Sequence, residues 1–279
     1  LARSTVFIDR ARKQETIDAS TKKHIALYDR VICPEDHASA ISYPFHHNVV
    51  CSGKVHGFKP EKALLRQQVR EFFGVHPAQD LVYVSSGGGG DIHSEASIAN
   101  WVKAVRQISE NALVVIGYGP LYKGKMNYSD RLSIPFTGTN INKYFSGFDF
   151  AISAAGYNTF EELKAAKVPT LFFSLEKGMD DQLYRIKKLR DQGMCGLGSV
   201  ENAYKHLKDF LADKGKISEM LNKAPLSQGC AKAAKSLLET ALSKKSIFIP
   251  QEYIEKTYAQ FINQRQLAAT TLRAEVTAA

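Results

Sequence analysis

Three stretches of this chain place small residues directly after an apolar run and follow them with groups that can hold a charged or hydroxylated ligand. The first is AISAAGYNTFEEL, Ala151 to Leu163. Ser153, Ala154, Ala155 and Gly156 leave a turn with almost no side chains, and the helix expected to start near Asn158 or Thr159 aims unpaired N–H groups and its positive dipole end outward. Such a turn is an anion site suited to a diphosphate. Glu161 and Glu162 sit in the first turns. One acid is enough to favour the dipole, so a second role for one of them, accepting bonds from ribose hydroxyls, is open. The second stretch is SSGGGGD, Ser85 to Asp91, whose glycines permit unusual backbone angles and let N–H groups face an anion. Its spacing is neither that of a P-loop nor that of a dinucleotide fingerprint, and a plain flexible loop is the competing reading.

The third stretch is VPTLFFSLEKGMDDQ. Asp180 reads as a helix N-cap. Asp181 and Gln182 join an acceptor-only group to a mixed donor–acceptor, which suits the vicinal hydroxyls of a sugar. His93, just after the glycine loop, is a weak catalytic candidate that would donate to a leaving-group oxygen; an exposed loop histidine is the plainer alternative. His24, His37, His46 and His47 lie in the N-terminal part, and His56 and His76 flank the helix that follows it. His46 and His47 lack a third ligand at metal-site spacing and read as a surface or packed pair. No metal site is expected. Trp101 reads as core.

Positioning these loops requires strands that end where they begin. STVFIDRA, YDRVICPED and NVVCSGKV read as three short strands, the last closed by Gly53. KPEKALLRQQVREFFGV reads as one helix with Pro60 near its start and Gly74 after its end. DLVYVSS, ALVVIGYG, LSIPFT, FDFAIS and PTLFFS then alternate with the helical patterns SEASIANWVKAVRQIS, INKYFSG, NTFEELKAAK and DDQLYRIKKLRDQG, with CGLG as a brief last strand. This alternation makes βαβ units and a parallel sheet, with ligands at the carboxyl ends of the strands. We expect residues 1–57 to be the end of one α/β domain plus a linker, 58–245 a complete second domain, and 246–279 a helical tail.

The 279 residues are 44% hydrophobic, enough for real cores. No apolar run approaches the roughly 20 residues of a spanning helix. Cys33, Cys51, Cys195 and Cys230 have no C-x-x-C spacing, which disfavours zinc ribbons and disulfide frameworks and fits a reducing cytoplasm. A net charge of +9 suits an anionic partner such as nucleotide phosphates or lipid heads; with no nucleic-acid motif beside it, nucleic acid is not expected. The chain begins on Leu1 with its pattern already under way, so a natural N-terminal segment is expected before it.

In order and separation, VSSGGGGD, SAAGYNTFEEL, VPTLFFS and DDQ resemble the C-terminal, nucleotide-sugar-binding domain of GT-B glycosyltransferases, nearest the family 28 (MurG-like) group, over about Asp80 to Gly198. VFIDRARK and YDRVICPED resemble, more weakly, the end of the acceptor-side domain. The resemblance implies an α/β fold with a GT-B-type Rossmann-like parallel sheet and the remnant of a second, N-terminal α/β domain. It implies transfer of a sugar from a UDP-sugar to an acceptor hydroxyl, without metal or cofactor. It places Glu162 on the ribose; Ala155, Gly156, Tyr157, Asn158 and Thr159 at the phosphates; Gly88, Gly89 and Gly90 over them; and Asp181 and Gln182 on the sugar. The catalytic base is expected in the segment before Leu1. The acceptor would be a lipid-linked, lipid or small-molecule hydroxyl, and the location cytoplasmic, with possible contact at the inner membrane face. This sequence departs from the pattern at Arg185, where an asparagine is frequent, and at Gly89, where several members carry a hydroxyl. The alternatives are a nucleotide-sugar-binding subunit that needs a partner chain, and a UDP-sugar hydrolase or epimerase on the same scaffold.

Overall fold

A computed structural model describes residues 4–10, 23, 25–35, 47–124, 131–175 and 180–243. His24, His37, His46 and the expected tail 246–279 lie outside these residues. Near the N-terminus, β1 (Val6–Ile8), β2 (Arg30–Cys33) and β3 (Val49–Cys51) form a three-stranded parallel sheet in the order β1-β2-β3. The second sheet contains β4 (Leu81–Ser85), β5 (Leu113–Gly117), β6 (Ser133–Phe136), β7 (Phe150–Ala154), β8 (Thr170–Phe173) and β9 (Gly196–Gly198). All its pairings are parallel, in the order β6-β5-β4-β7-β8-β9. The expected α/β architecture with two parallel sheets is therefore present.

Strand alternation divides the core of the large sheet into two layers. Val82 and Val84 of β4, Val114 and Ile116 of β5, and Ile152 of β7 face one layer. It is covered by α2 (Ser94–Ile108), through Ile98, Trp101 and Val105, and by α5 (Ala203–Lys223), through Leu207, Phe210 and Leu221. Leu81, Tyr83, Val115 and Ala151 face the other layer. There they meet Val69 of α1 (Arg66–Phe72), Phe160 and Leu163 of α3 (Tyr157–Ala165), and Ile186 and Leu189 of α4 (Gln182–Arg190). Trp101 is fully buried, as expected. Burying side chains such as Leu163 or Phe160 contributes about 1.5–3 kcal/mol each, so α3 is fixed to the sheet by its apolar side and its N-terminus is held at the strand ends.

Two local readings are corrected. The single helix expected around Pro60 is split into a 3-10 turn, Pro60–Lys62, and α1; Ala63 and Leu65 between them are extended. The helix after β7 starts at Tyr157, ahead of Asn158 and Thr159.

Among the described residues the chain crosses between the sheets twice. Residues 52–57 lead from β3 to the large sheet. Residues 224–228 lead from α5 to α6 (Gly229–Leu242), which returns to the small sheet, where the Ser4 hydroxyl donates to the Thr240 carbonyl at 2.9 Å. The crossings are tied together: the Ser227 hydroxyl donates to the Lys54 carbonyl at 2.8 Å. A Cβ at Gly229 would lie 2.2 Å from that same oxygen, so only glycine fits. Among the described residues, no helix is long and apolar enough to cross a membrane.

Candidate functional site

The strand order reverses between β4 and β7. After β4 the chain adds β5 and β6 on one side, then returns to lay β7, β8 and β9 on the other. A crevice at such a switch point, outside the carboxyl ends of the strands, is where open α/β sheets take ligands. The three candidate stretches follow β4, β7 and β8, which are consecutive in the sheet. Register sets Ser85 beside Ser153 and Ala154 beside Phe173, so the glycine loop, the Gly156 turn and the Asp181–Gln182 segment share one edge.

At the Gly156 turn, α3 begins without a side-chain cap. The first bond into the helix runs from the Phe160 N–H to the Gly156 carbonyl at 2.9 Å, so the N–H groups of Tyr157, Asn158 and Thr159 precede the helical ladder. Gly156 is not required by its backbone conformation: its φ of −59° suits any residue. Among the described residues, a Cβ there would meet nothing within 4 Å. What the glycine leaves is open space over the helix end.

The glycine loop is built differently. Gly87 and Gly89 have φ of +83° and +76°, and a Cβ on Gly89 would lie 2.9 Å from the Tyr122 backbone nitrogen. The loop is pinned to the one after β5, the Leu121 N–H donating to the Gly88 carbonyl at 3.0 Å. Gly88 faces open space, while Gly90 packs near Leu121. His93 is exposed at the foot of α2 and makes no side-chain cap.

The two adjacent glutamates diverge. Glu162 Oε1 accepts from the Gly57 N–H and from Asn142 Nδ2, both at 3.2 Å. Burial pushes its carboxyl above the ordinary range, opposed by these two bonds. Glu161 is 2% exposed and lies between Lys54, 3.7 Å from Oε1, and Lys164, 3.5 Å from Oε2. Tyr157 contributes only backbone to the helix end. Its hydroxyl donates to the Pro34 carbonyl at 3.1 Å and accepts from the Val55 N–H at 3.2 Å, tying α3 to the small sheet. Burial raises its phenol pKa.

The Asp180 cap is corrected as well. Asp181 is the N-cap of α4, its Oδ1 accepting from the Tyr184 N–H at 3.0 Å. Asp180 is buried against Arg185, 2.6 Å from its guanidinium. Gln182 is 4% exposed; its Oε1 accepts from the Leu175 N–H at 3.0 Å and its Nε2 donates to Asp180 Oδ2 at 3.4 Å.

Several participants were not legible as site residues. Arg185 donates to the Ala155 carbonyl at 2.6 Å and lies over the Tyr157 and Phe160 rings at 5.6 and 5.8 Å. It thereby joins the start of α4 to the turn before α3. A helical position three residues past an Asp-Gln pair carries no signal of such a reach. A cleft of about 380 Å³ opens between the sheets, with Asp9, Arg10, Pro34 and Val55 on one wall and Tyr157 and Asn158 on the other. Arg10 brings positive charge opposite the helix end. His47 is exposed, and among the described residues no His, Cys, Asp or Glu group of three or more has metal-site geometry.

The arrangement defines a class of fold: a doubly wound parallel sheet of GT-B type, with part of a second α/β unit facing its ligand edge. No protein-family model and no curated protein matches the chain. Solved structures resemble it in shape. Arabidopsis thaliana UGT89C1, complexed with quercetin, superposes with a TM-score of 0.58 at 11% identity, covering 86% of this chain and 67% of that one. The glycotransferase of kitacinnamycin gives 0.56 at 13%, covering 81% and 57%. The spinosyn forosaminyltransferase SpnP gives 0.50 at 14%, covering 76% and 55%. This chain thus spans between 55% and 67% of the length of these three structures.

Proposed function

We propose that this chain is the donor-binding part of a glycosyltransferase of the family 28 kind, moving a sugar from a UDP-sugar to an acceptor hydroxyl without a metal. The observation that carries the reading is the uncapped start of α3 at the switch point, with open space at Gly156 and the glycine loop on the neighbouring strand. A diphosphate seated there meets the N–H groups of Tyr157, Asn158 and Thr159. Those donors are in place before the sugar bond breaks, so they stabilise the charge that develops on the leaving diphosphate without reorganising. Arg185, half-buried behind the turn, holds the Ala155 carbonyl and adds positive potential. Gly88, Gly89 and Gly90 close over the phosphates.

Glu162 lies six residues into the helix from Gly156, about 9 Å along its axis. That separation matches a ribose attached to the diphosphate, and Oε2 makes no hydrogen bond among the described residues. Asp181 and Gln182 stand at the sugar end, Asp181 being the more open of the two. The acceptor enters from the small-sheet side, opposite the donor edge. The acceptor is a lipid-linked, lipid or small-molecule hydroxyl, and the location cytoplasmic, at or near the inner membrane face.

Calorimetric titration of the full chain with UDP and ADP, with and without EDTA, tests this. The expected result is saturable UDP binding, preferred over ADP and unchanged by chelation. Equal binding of both nucleotides removes the uridine assignment, and loss of binding in EDTA removes metal independence.

A further inference from the structure

A second cavity, of about 400 Å³, opens where the two crossings between the sheets meet. It lies toward the C-terminal end of α3, away from the Gly156 turn. Four ammonium groups line it: Lys54, Lys164, Lys167 and Lys232. Lys54 is spent on Glu35 by a direct hydrogen bond, and Lys167 donates to the Ala224 carbonyl. Lys232 is exposed and forms no ion pair among the described residues. Like charges so gathered repel one another, and burial together with Lys164 lowers the Lys167 pKa.

Lys167 is also conformationally unusual. It occupies the left-handed position that closes α3, with φ of +61°, and is the one non-glycine residue of positive φ among the described residues. The Lys167 N–H donates to the Lys164 carbonyl and the Val168 N–H to the Leu163 carbonyl, both at 3.1 Å. Glycine is the usual occupant of that position. A lysine there accepts backbone strain and delivers a cation to the cavity.

Two further groups line the same space, each with side-chain atoms that have no hydrogen-bond partner among the described residues; the other Glu161 oxygen, Oε2, accepts from Lys164 at 3.5 Å. Glu161, 2% exposed, has its Oε1 shut off from solvent and accepting no hydrogen bond; its nearest cation is Lys54 at 3.7 Å. Both ring nitrogens of His56 are likewise inaccessible, and neither makes a hydrogen bond of good geometry among the described residues. Lysines alone suit any anion. A buried carboxylate among them is an acceptor only, and it repels an anion that has no proton to offer. The anion that satisfies both is a phosphate that still carries a P–OH: its oxygens take the ammonium groups and its hydroxyl donates to Glu161.

The geometry points to a binding site for a protonated phosphate group at the hinge between the two sheets, distinct from the donor turn and independent of the sugar-transfer reading. Lys164, Lys167 and Lys232 supply the charge, Glu161 selects the proton, and His56 offers one further hydrogen bond. Inorganic phosphate and a phosphate monoester share this chemistry and differ in titration. Inorganic phosphate keeps a P–OH through neutral pH, whereas a monoester loses its last proton near pH 6.

The test is calorimetry on the full chain with inorganic phosphate, sulfate and glucose 1-phosphate, at pH 5.5 and pH 7.5. Phosphate is expected to bind saturably at both pH values and at least tenfold tighter than sulfate, which has no proton to donate. Glu161→Gln, whose amide can donate to sulfate, brings that ratio to within about twofold. Lys232→Glu, at an exposed position that leaves folding intact, weakens phosphate binding at least threefold. Glucose 1-phosphate that binds at pH 5.5 and not at pH 7.5 adds the monoester as a source; if it binds at neither, inorganic phosphate is the source. The site is overturned by equal affinity for sulfate, by absence of saturable phosphate binding, by a monoester that binds equally at both pH values, or by displacement of phosphate with UDP. The last outcome would place phosphate at the donor turn and leave the sugar-transfer reading standing. Failure of UDP to bind while phosphate binds selectively would do the reverse.

Discussion

The glycine loop after β4 and the Gly156 turn after β7 sit side by side on one sheet edge, and both are poor in side chains, yet their glycines answer to different constraints. Gly89 has φ of +76° and no room for a Cβ beside the Tyr122 backbone. The protein itself occupies the space around it. Gly156 has φ of −59° and nothing within 4 Å of a Cβ. Any residue could adopt its backbone conformation, and none of the described residues fills the space. The first glycine is demanded by folding. The second is free of every folding demand visible in the structure, and so the space it leaves is available to a ligand.

The comparison breaks most directly at Gly156. Gly156→Val should leave stability within about 0.5 kcal/mol, while UDP affinity falls by about 3 kcal/mol or more, the scale of losing two charge-assisted hydrogen bonds. A melt that collapses together with binding would show that the glycine serves the fold. The converse holds at Gly89. Gly89→Ala combines a left-handed alanine with overpacking against Tyr122, and should destabilise by about 2–4 kcal/mol. Chemical denaturation that finds the variant as stable as wild type would abolish the distinction between the two loops.

Much of this was legible from apolar runs that end in small residues: FDFAIS gives β7, VSS ends β4, and the order of loops along the chain follows from their alternation with helices. The rest depends on contacts between residues far apart in sequence. Nothing local distinguishes Gly156 from Gly89; the difference lies in Tyr122 and Gly119 packing against one and not the other. Asp180 reads as the cap from sequence, but Arg185, a contact no local pattern shows, draws it inward and leaves Asp181 to cap the helix. The return of α6 to the small sheet rests on Gly229 fitting against the Lys54 carbonyl, a partner more than a hundred residues away in sequence. The roles of Glu161 and Glu162 diverge because neighbouring helical positions point about 100° apart, one toward Lys54 and the other toward Gly57.

Glu162 sharpens the comparison at intermediate size. Glu162→Ala should weaken UDP by about 1–3 kcal/mol, and equal affinities by calorimetry would remove it from the ribose role. Its pH behaviour gives a separate check. The carboxyl is raised above 4.5 in the folded protein by burial, despite bonds from Asn142 and Gly57. Between the unfolded and folded pKa values the folded state holds a proton that the unfolded state has released, so this group makes stability fall as pH rises through that window. Glu162→Gln should flatten that part of the stability profile. An unchanged slope above pH 4.5 would mean that Glu162 is not the group responsible.

The smallest effect is expected at Asp181, where the structure dictates the choice of substitution. Alanine would remove the α4 cap, worth about 1 kcal/mol, and Gln182→Ala would leave the Leu175 N–H without its acceptor, so neither change isolates a sugar contact. Asn at 181 keeps an oxygen for the Tyr184 N–H and replaces the other oxygen with a donor. If Asp181 meets the hydroxyls of the donor sugar, Asp181→Asn should leave UDP affinity within about 0.5 kcal/mol and lower UDP-sugar affinity by about 1 kcal/mol. Asp180→Asn is the contrasting control. Asp180 holds Arg185, and Arg185 holds the Ala155 carbonyl at the phosphate turn, so weakening that ion pair should reduce UDP and UDP-sugar binding by equal factors. Matched titrations of both variants with UDP and a panel of UDP-sugars decide the matter. If Asp181→Asn lowers both ligand types equally, or lowers neither, the sugar end of the site lies elsewhere along the edge formed by β4, β7 and β8.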